Sequence, residues 1–306
     1  MKDISLDLVR ASEAAAVAAS SWIGSGAKEA ADKAATDAMR ARLNQMNFSG
    51  KIAIGEGKKD ASFGLFAGER VGRLANDPKS KSYELAVDPI DGTRPTVTSG
   101  PEAMSVIAVA EEGALYTTPE FYMNKLAYGP EVARKVELRL NEPISRSIDK
   151  ISAVTGKEPS KIMVCLLDRP RHEKLIAELR SLGVRIKLIQ DCDISGAIAC
   201  CLPESGIDLL CGIGGAAEGV ITACAMKCLK GGLTGQVVKP DGTAADRKIY
   251  GIEELARGPC AFAATGVTDG SLLRGVRFTS VGPVTSSVFM RSESGTVRWL
   301  TAYHGN

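Results

Sequence analysis

Two aspartates, Asp88 and Asp91, stand three residues apart directly behind an apolar run, in the stretch ELAVDPIDGTRP at residues 84–95. The intervening proline restricts the backbone and Gly92 permits a tight turn, so both carboxylates and the Thr93 hydroxyl can fold toward one point. Crowded anionic oxygens repel each other unless a cation lies between them, and Mg²⁺ and Mn²⁺ prefer carboxylate ligands. The stretch predicts a divalent-metal site suited to phosphoryl transfer. An ordinary turn has the same composition.

A second carboxylate at the end of a predicted strand favours the metal site over the ordinary turn. The run IAIGEG at residues 52–57 places Glu56 directly behind a short apolar strand. Carboxylates at the carboxyl ends of strands point into the crevice where ligands of open α/β sheets bind.

Positive partners for a phosphate occur in LLDRPRH, residues 166–172, where Arg169, Arg171 and His172 surround a proline at a predicted strand end. The planar guanidinium suits bidentate phosphate binding. The alternative is a solvated helix start, but cations at a helix N-terminus oppose its dipole, which favours a ligand.

A glycine-rich segment, IDLLCGIGGAAEG at residues 207–219, reads as a strand, a turn and a helix start. Gly212, Gly214 and Ala217 match the loose form of a dinucleotide fingerprint, but no ribose-binding acid follows about 20 residues on. The glycines fit better with backbone amides brought close to a sugar or phosphate.

Composition excludes several classes of protein. The chain has 306 residues and a net charge of +2, without blocks of like charge, so we expect neither a nucleic-acid nor a membrane partner. The first helix carries acids within its apolar face, unlike a signal peptide, and we expect a cytoplasmic protein. His172 and His304 are the only histidines, which leaves little material for a catalytic triad or a histidine-rich zinc site.

The eight cysteines include no CxxC pair and are expected to be reduced structural thiols rather than disulfides or zinc ligands. The two tryptophans, Trp22 and Trp299, occupy apolar helix and strand positions and are expected in the core. The alanine-rich segment 11–20 predicts close packing between helices.

Apolar periodicity predicts helices over 3–23 and 30–47, strands over 51–54 and 83–87, and a hairpin over 104–117 that turns at Glu112-Gly113. The first part of the chain thus reads as helices laid on a mixed sheet.

From about residue 145, near-continuous apolar strands alternate with amphipathic helices, which predicts βαβ units. The tail after residue 258 reads as antiparallel strands. The best boundary candidate lies at 141–150, which predicts an N-terminal half of residues 1–145 and a C-terminal half of residues 146–306.

Several motifs, taken in order, resemble a known family. VDPIDGT is similar to the signature of the lithium-sensitive, metal-dependent phosphomonoesterases, and alone it would also fit inositol monophosphatases. Together with IAIGEG, EFYMNKL, LLDRPRH, QDCD and GIGGAAEG it resembles the class II, bacterial-type fructose-1,6-bisphosphatases. The resemblance covers almost the whole chain.

The resemblance implies an α/β (α+β) fold, a layered α-β-α-β-α sandwich of the sugar-phosphatase type with the site between its two halves. It implies that Thr93 orients or helps deprotonate the attacking water. The implied ligands of Mg²⁺ or Mn²⁺ are Asp32, Glu56, Asp88, Asp91 and Glu218. The implied substrate contacts are Asp91, Gly92, Thr93, Tyr122, Arg169, Pro170, Arg171, Asp191, Cys192, Asp193 and Gly215.

The implied activity is hydrolysis of the 1-phosphate of fructose 1,6-bisphosphate, serving gluconeogenesis, in a homodimer or homotetramer. Sedoheptulose 1,7-bisphosphate is an additional or alternative substrate, and an inositol phosphate a weaker one. A non-catalytic sugar-phosphate-binding homologue is the alternative from another class.

The chain departs from the family pattern at four places. Ala27 stands where an acid precedes the lysine, Lys58 follows GEG in place of an acid, Cys192 replaces a glycine beside the sugar, and Arg94-Pro95 follows DGT. All five implied metal ligands are nevertheless present, which favours activity.

Overall fold

The computed structural model describes residues 4–55, 64–118 and 122–305. These residues form two compact units, one built from Met1–Thr117 with Gly258–Asn306 and the other from Thr118–Arg257. The helices of the first unit are α1 (Ser5–Ser20), α2 (Lys28–Gln45) and α3 (Thr93–Thr98). Its strands are β1 (Ser49–Ile54), β2 (Arg70–Val71), β3 (Ser82–Asp91), β4 (Met104–Glu111), β11 (Cys260–Gly266), β12 (Arg277–Thr279), β13 (Gly282–Arg291) and β14 (Thr296–Tyr303).

The second unit contains the remaining elements. Its helices are α4 (Pro130–Ala133), α5 (Ile144–Thr155), α6 (Glu173–Ser181), α7 (Asp193–Ala199), α8 (Ala216–Leu229) and α9 (Ile252–Leu255). Its strands are β5 (Tyr122–Tyr128), β6 (Met163–Leu167), β7 (Arg185–Ile189), β8 (Leu209–Gly215), β9 (Gly232–Val238) and β10 (Tyr250–Gly251).

The units divide the chain differently from the predicted halves, because the boundary placed after residue 145 falls inside the second unit. The tail returns to the first unit, where β11 pairs antiparallel with β4 from Cys260↔Ala110 to Gly266↔Met104. Strand partners lie far apart in sequence, so apolar alternation shows that a strand exists but not which sheet it joins.

The first unit holds an eight-stranded sheet in the order β12-β13-β11-β4-β3-β1-β2, with β14 on β13. Its parallel pair is β1 with β3, and the tail strands pair antiparallel, as the sequence predicts. Helices α1 and α2 pack together through alanines that are fully buried, which confirms the close helix packing expected of the alanine-rich segment. These include Ala11, Ala15, Ala16, Ala19, Ala31 and Ala35.

Two local predictions in this unit are wrong. The segment 104–117 is not a hairpin, because β3 and β11 already occupy both edges of β4 and leave no edge for a returning strand. Trp299 is half exposed on edge strand β14 and is not a core residue. Trp22 is partly buried and packs against the core, as predicted.

A chain of buried hydroxyls fixes α1 to the sheet. Ser12 Oγ lies 2.8 Å from Thr265 Oγ1, which in turn lies 2.8 Å from Ser287 Oγ. Thr285 Oγ1 donates to the buried Glu13 carboxylate at 3.1 Å. Each of these side chains has a hydrogen-bond partner in the core, so its burial costs little free energy. The directions of these hydrogen bonds set the position of α1 on the sheet.

The second unit holds a six-stranded sheet in the order β10-β9-β5-β8-β6-β7. Strand β6 is parallel to β7 and to β8, with α6 as one crossover, which confirms the predicted βαβ units. Strand β5 lies antiparallel between β8 and β9. The mixed sheets with their helices confirm the α/β fold class.

None of the helices in the described part of the chain combines the length and the apolar character that a membrane crossing needs.

Truncating Phe289 tests the core of the first unit. Phe289 is 4% exposed and belongs to the apolar cluster under α1, so Phe289→Ala should lower the free energy of unfolding by about 3–5 kcal/mol. Phe278→Ala is the matched control, because that ring is 63% exposed and its loss should change stability by less than about 0.5 kcal/mol. Urea denaturation measures both, and equal losses would contradict the assignment of the core.

Candidate active site

Strand β3 ends in a β-bulge that carries the two aspartates of the opening motif. Strand β3 has one more residue than β4 between the pairs Asp88↔Val106 and Asp91↔Met104. Asp88 Oδ1 accepts a hydrogen bond of 3.1 Å from the Ile90 amide, and Asp91 is 5% exposed. Because a bulge bends its strand and redirects side chains, it sets the directions of both carboxylates.

Thr93 begins α3 and contacts a residue of another helix. Its Oγ1 donates a 2.7 Å hydrogen bond to Oδ1 of Asp32, in the second turn of α2. Gly92, at φ 100°, makes the left-handed turn that brings the threonine there. The structure thus joins Asp32 directly to the predicted water-orienting hydroxyl.

The turn between α1 and α2 positions Asp32. The amides of Gly24 and Gly26 donate to the carbonyls of Thr96 and Val97 in α3, at 3.1 and 2.9 Å. The start of α2 is therefore held against α3.

The structure accounts for the proline in the Arg94-Pro95 departure. Pro95 lies in the first turn of α3, where a helix amide has no intrahelical partner, so the missing N–H costs nothing. Ala27 is the N-cap of α2 and provides no side-chain cap.

Glu56 and Lys58 lie outside the described residues, so the structure says nothing about either prediction. Among residues 4–55, 64–118 and 122–305, no three acidic, histidine or cysteine side chains lie close enough together to hold a metal ion. The donors that Asp32, Asp88, Asp91 and Thr93 provide are all hard oxygens. That chemistry fits Mg²⁺ or Mn²⁺ rather than zinc or copper.

In the second unit, the predicted substrate residues gather at one edge of the sheet. The parallel strands β6, β7 and β8 end at Leu167, Ile189 and Gly215, and the predicted residues follow these ends. Tyr122 pairs with Gly215 at the same edge. This is the carboxyl edge at which open α/β sheets bind ligands.

Arg169 and Asp191 form an ion pair at this edge, between the ends of β6 and β7. The pair uses Oδ1 of Asp191. The other carboxylate oxygen of Asp191, Oδ2, is buried and has no hydrogen-bond partner among the described residues. A buried carboxylate oxygen without a partner is costly, so this atom is suited to accept a hydroxyl from a ligand.

Arg171 is held by the backbone of β8 and by an aromatic ring. Its guanidinium donates twice to the carbonyl of Ile213, at 3.0 and 2.7 Å, and lies 5.5 Å from the ring centre of Tyr122. Burial and the neighbouring Arg169 lower the pKa of Arg171. Two cations crowded together favour an anionic ligand.

A cavity of about 300 Å³ opens beside Arg171. Tyr122, Arg171 and Ile213 line it together with a loop at 240–242. Sequence reasoning missed this loop, because its composition is that of any exposed turn. A larger cavity of about 580 Å³ lies in the first unit among α1, α2 and β14, and none of the predicted site residues lines it.

His172 is a buried link between two strands, not a ligand at the surface. Its Nε2 accepts the Ile213 amide at 2.8 Å, so its Nδ1 carries the proton and donates to the Leu167 carbonyl at 2.7 Å. Burial lowers the pKa of His172, and Arg171 and Arg169 lower it further, against the bond to Leu167 that raises it. The ring is therefore held neutral.

Lys125 lies beneath this edge, in the middle of β5, and sequence reasoning assigned it no role. Its Nζ donates to Asp193 Oδ2 at 2.5 Å and to the Gly215 carbonyl at 3.1 Å. Burial and Asp193 raise the pKa of Glu218, and Lys125 partly offsets them.

Each glycine of the segment CGIGGAAEG leaves space for a neighbouring side chain. A Cβ on Gly212 would lie 2.9 Å from Nε2 of His172, and one on Gly214 would lie 1.9 Å from Asp193 Oδ2. A Cβ on Gly215 would lie 1.7 Å from Glu218 Oε2. Gly212, Gly214 and Gly215 thus leave room for a histidine and two carboxylates, and no dinucleotide loop is needed to explain them.

Cys192 adopts a left-handed backbone, φ 66° and ψ 51°, at the N-cap of α7. Glycine adopts this conformation without strain, which explains why a glycine is usual here.

None of the eight cysteines, all of which lie in described residues, forms a disulfide. Burial raises the pKa of Cys201 and Cys211 to about 12, so both stay protonated thiols at neutral pH.

The chain matches the family model described as "Bacterial fructose-1,6-bisphosphatase, glpX-encoded" over residues 2–304. The chain belongs to this family. A fructose-1,6-bisphosphatase is a phosphoric monoester hydrolase, and the family acts on fructose 1,6-bisphosphate with a divalent metal.

Curated relatives of this fructose-1,6-bisphosphatase carry the name D-fructose 1,6-bisphosphatase class 2/sedoheptulose 1,7-bisphosphatase. Those from Microcystis aeruginosa and Crocosphaera subtropica are each 36% identical, over 98% of this chain and 96% of their own length. One from Thermosynechococcus vestitus is 37% identical, over 98% of this chain and 95% of its own.

The neutral His172 predicts a pH-dependent stability. Its pKa is lowered on folding, so the unfolded chain binds the proton more readily, and stability is lost as pH falls below about 6.5. The free energy of unfolding should fall by up to about 1.4 kcal/mol per pH unit there. His172→Gln should remove this part of the dependence in urea denaturation between pH 7.5 and 5.5. His304→Gln reports any contribution of the other histidine. Equal slopes in the wild type and His172→Gln would contradict the assignment.

The left-handed Cys192 predicts a difference between two small substitutions. Cys192→Gly and Cys192→Ala both remove the buried thiol, but only alanine keeps a Cβ at φ 66°. The glycine variant should therefore be more stable than the alanine variant by about 1 kcal/mol in urea denaturation. An alanine variant of equal or greater stability would show that the backbone is not strained.

Proposed function

We propose that this chain hydrolyses the 1-phosphate of fructose 1,6-bisphosphate with its predicted residues in two roles. Asp88, Asp91 and Thr93 are assigned to metal binding and water activation, and Arg169, Arg171, Asp191 and Asp193 to binding of the sugar and its other phosphate. The hydrogen bond from Thr93 Oγ1 to Asp32 Oδ1, at 2.7 Å, carries the proposal, because it links a hydroxyl to a base across 61 residues of chain.

Water activation follows from that bond. Thr93 donates its own proton to Asp32, so its oxygen accepts a hydrogen bond from the attacking water. As the water oxygen bonds to phosphorus, its proton passes to Thr93 and the threonine proton passes to Asp32. The bond from phosphorus to the sugar oxygen breaks, and that oxygen takes a proton from solvent water to give fructose 6-phosphate. Asp32 then releases its proton to solvent.

Asp88 and Asp91 would hold the divalent ion in this proposal, with Glu56 as a further ligand. Ligation by Asp32 stays a prediction, because no three such side chains lie close enough together among the described residues. The ion is Mg²⁺ or Mn²⁺, and Li⁺ should inhibit, as the family resemblance implies. When bound, it supplies positive charge that neutralises the phosphoryl oxygens. The carboxylates set its position, and the bulge between Asp88 and Asp91 sets theirs. Ligation by Glu218 stays a prediction.

Substrate binding would use the edge of the second sheet. Arg169 and Arg171 bind the remaining phosphate, while Asp191 Oδ2 and the Asp193 carboxylate accept sugar hydroxyls. Tyr122 stacks on Arg171 and limits its movement. Pro170, Cys192 and Gly215 shape the backbone around these groups. Gly92 is proposed to contact the substrate beside Thr93.

Sedoheptulose 1,7-bisphosphate is a second proposed substrate. The curated relatives at 36–37% identity are named for both activities. Recognition through hydroxyl-accepting carboxylates also suits a longer polyhydroxylated sugar. The cytoplasmic location and the homodimer or homotetramer stay predictions.

Phosphate release tests the proposal. The purified chain is assayed with fructose 1,6-bisphosphate, sedoheptulose 1,7-bisphosphate and inositol 1-phosphate, with Mg²⁺ or Mn²⁺, and then with Li⁺. Thr93→Val should lower kcat by at least about hundredfold with little change in KM, because general-base catalysis typically contributes that much. Thr93→Ser, the matched control, keeps the hydroxyl and should stay within about tenfold of the wild type.

Two results would contradict the roles. A Thr93→Val enzyme with wild-type kcat would exclude the threonine from water activation. Unchanged dependence of the rate on metal concentration in Asp88→Asn would exclude Asp88 from metal binding.

A further inference from the structure

Lys125 is among the largest of the fully buried side chains in the described residues, with 1% of its surface exposed. A buried ammonium group is stable only when it is paired and hydrogen-bonded. Asp193 and the Gly215 carbonyl provide those partners, at 2.5 and 3.1 Å. Both partners belong to the predicted substrate-binding set, which places the lysine beneath the sugar site.

The surrounding backbone is built to admit this side chain. Lys125 pairs with Gly212 on β8 and with Gly235 on β9, so glycines flank it in both neighbouring strands. A Cβ on Gly214 would lie 2.9 Å from its Nζ, and one on Gly219 would lie 3.4 Å from its Cδ. Any larger residue at Gly214 would enter the space of the ion pair.

We propose that Lys125 is a positioning residue for sugar recognition, which acts by fixing the Asp193 carboxylate and the Gly215 carbonyl. This rests on the proposed function. By binding Oδ2, the lysine sets the plane of the carboxylate, so that Asp193 meets a sugar hydroxyl without reorganisation.

The ion pair of Lys125 and Asp193 also balances charge in the proposed sugar site. The substrate is anionic, and an unpaired Asp193 would repel it. Asp191 has the equivalent arrangement with Arg169, so both hydroxyl-accepting carboxylates are tied to cations. The site then keeps its acceptors without a net negative charge.

Four proteins test the proposal: the wild type, Lys125→Met, Asp193→Asn and the double variant. Steady-state kinetics give kcat and KM for fructose 1,6-bisphosphate. Calorimetry gives the Kd of fructose 6-phosphate, and inorganic phosphate is measured as a competitive inhibitor. Urea denaturation gives stability.

Each single variant should raise KM and the Kd of fructose 6-phosphate by about tenfold, which is the loss of one charge-assisted hydrogen bond. The kcat should stay within about threefold, and the inhibition constant of phosphate should not change. Lys125→Met should also lower the urea midpoint, because it leaves a buried carboxylate unpaired.

The double variant separates positioning from structural support. With both charges removed, the urea midpoint should return toward that of the wild type, while KM and Kd stay raised about tenfold. Recovery of affinity together with stability would overturn the proposal, and so would wild-type affinity in Lys125→Met.

Lys157→Met is the matched control. Lys157 also pairs with a mostly buried aspartate at 2.5 Å, Asp208, but at the opposite end of β8 from Gly215. It should lower the urea midpoint and leave KM unchanged. The Thr93 variants test the proposed function through turnover. The Kd of fructose 6-phosphate tests the role of Lys125 without turnover. Failure of the proposed function is therefore distinguishable from failure of the proposal for Lys125.

Discussion

The buried pair of Lys125 and Asp193 is the constraint on which the second unit depends. Two charges out of water require close contact with each other and with the backbone, and this leaves little freedom in their surroundings. Strand β8 must carry glycine opposite the carboxylate, and α7 must begin where Asp193 reaches the lysine. The strand ends, the helix starts and the acceptor groups are therefore set together.

In the first unit, irregular backbone positions the predicted site residues. A β-bulge and a left-handed glycine redirect Asp88, Asp91 and Thr93 within a few residues of chain. Asp32 comes from a separate helix, which the Gly24 and Gly26 amides hold against α3. Backbone irregularity thus positions Asp88, Asp91 and Thr93, and packing of α2 against α3 positions Asp32.

Among the departures from the family pattern, Pro95 is explained by its place in α3, whereas the cysteine at 192 is not explained. Pro95 occupies a helix position that needs no amide donor, and Cys192 adopts a conformation that favours glycine. Neither removes a group that contacts the substrate in the proposed mechanism. All five predicted metal ligands are present in the sequence alongside these two departures.

Most of the secondary structure, the family and the predicted site residues could be read from the sequence alone. Periodicity predicted most helices, the βαβ units and the antiparallel tail, and ordered motifs with acids at strand ends predicted the family and the site residues. Tertiary structure decided the rest: that the tail rejoins the first sheet, that Trp299 is half exposed, and that Lys125 is buried against Asp193 and Gly215. Local patterns encode which face of an element is apolar, but partners of strands and burial of single charges depend on residues far away in the chain.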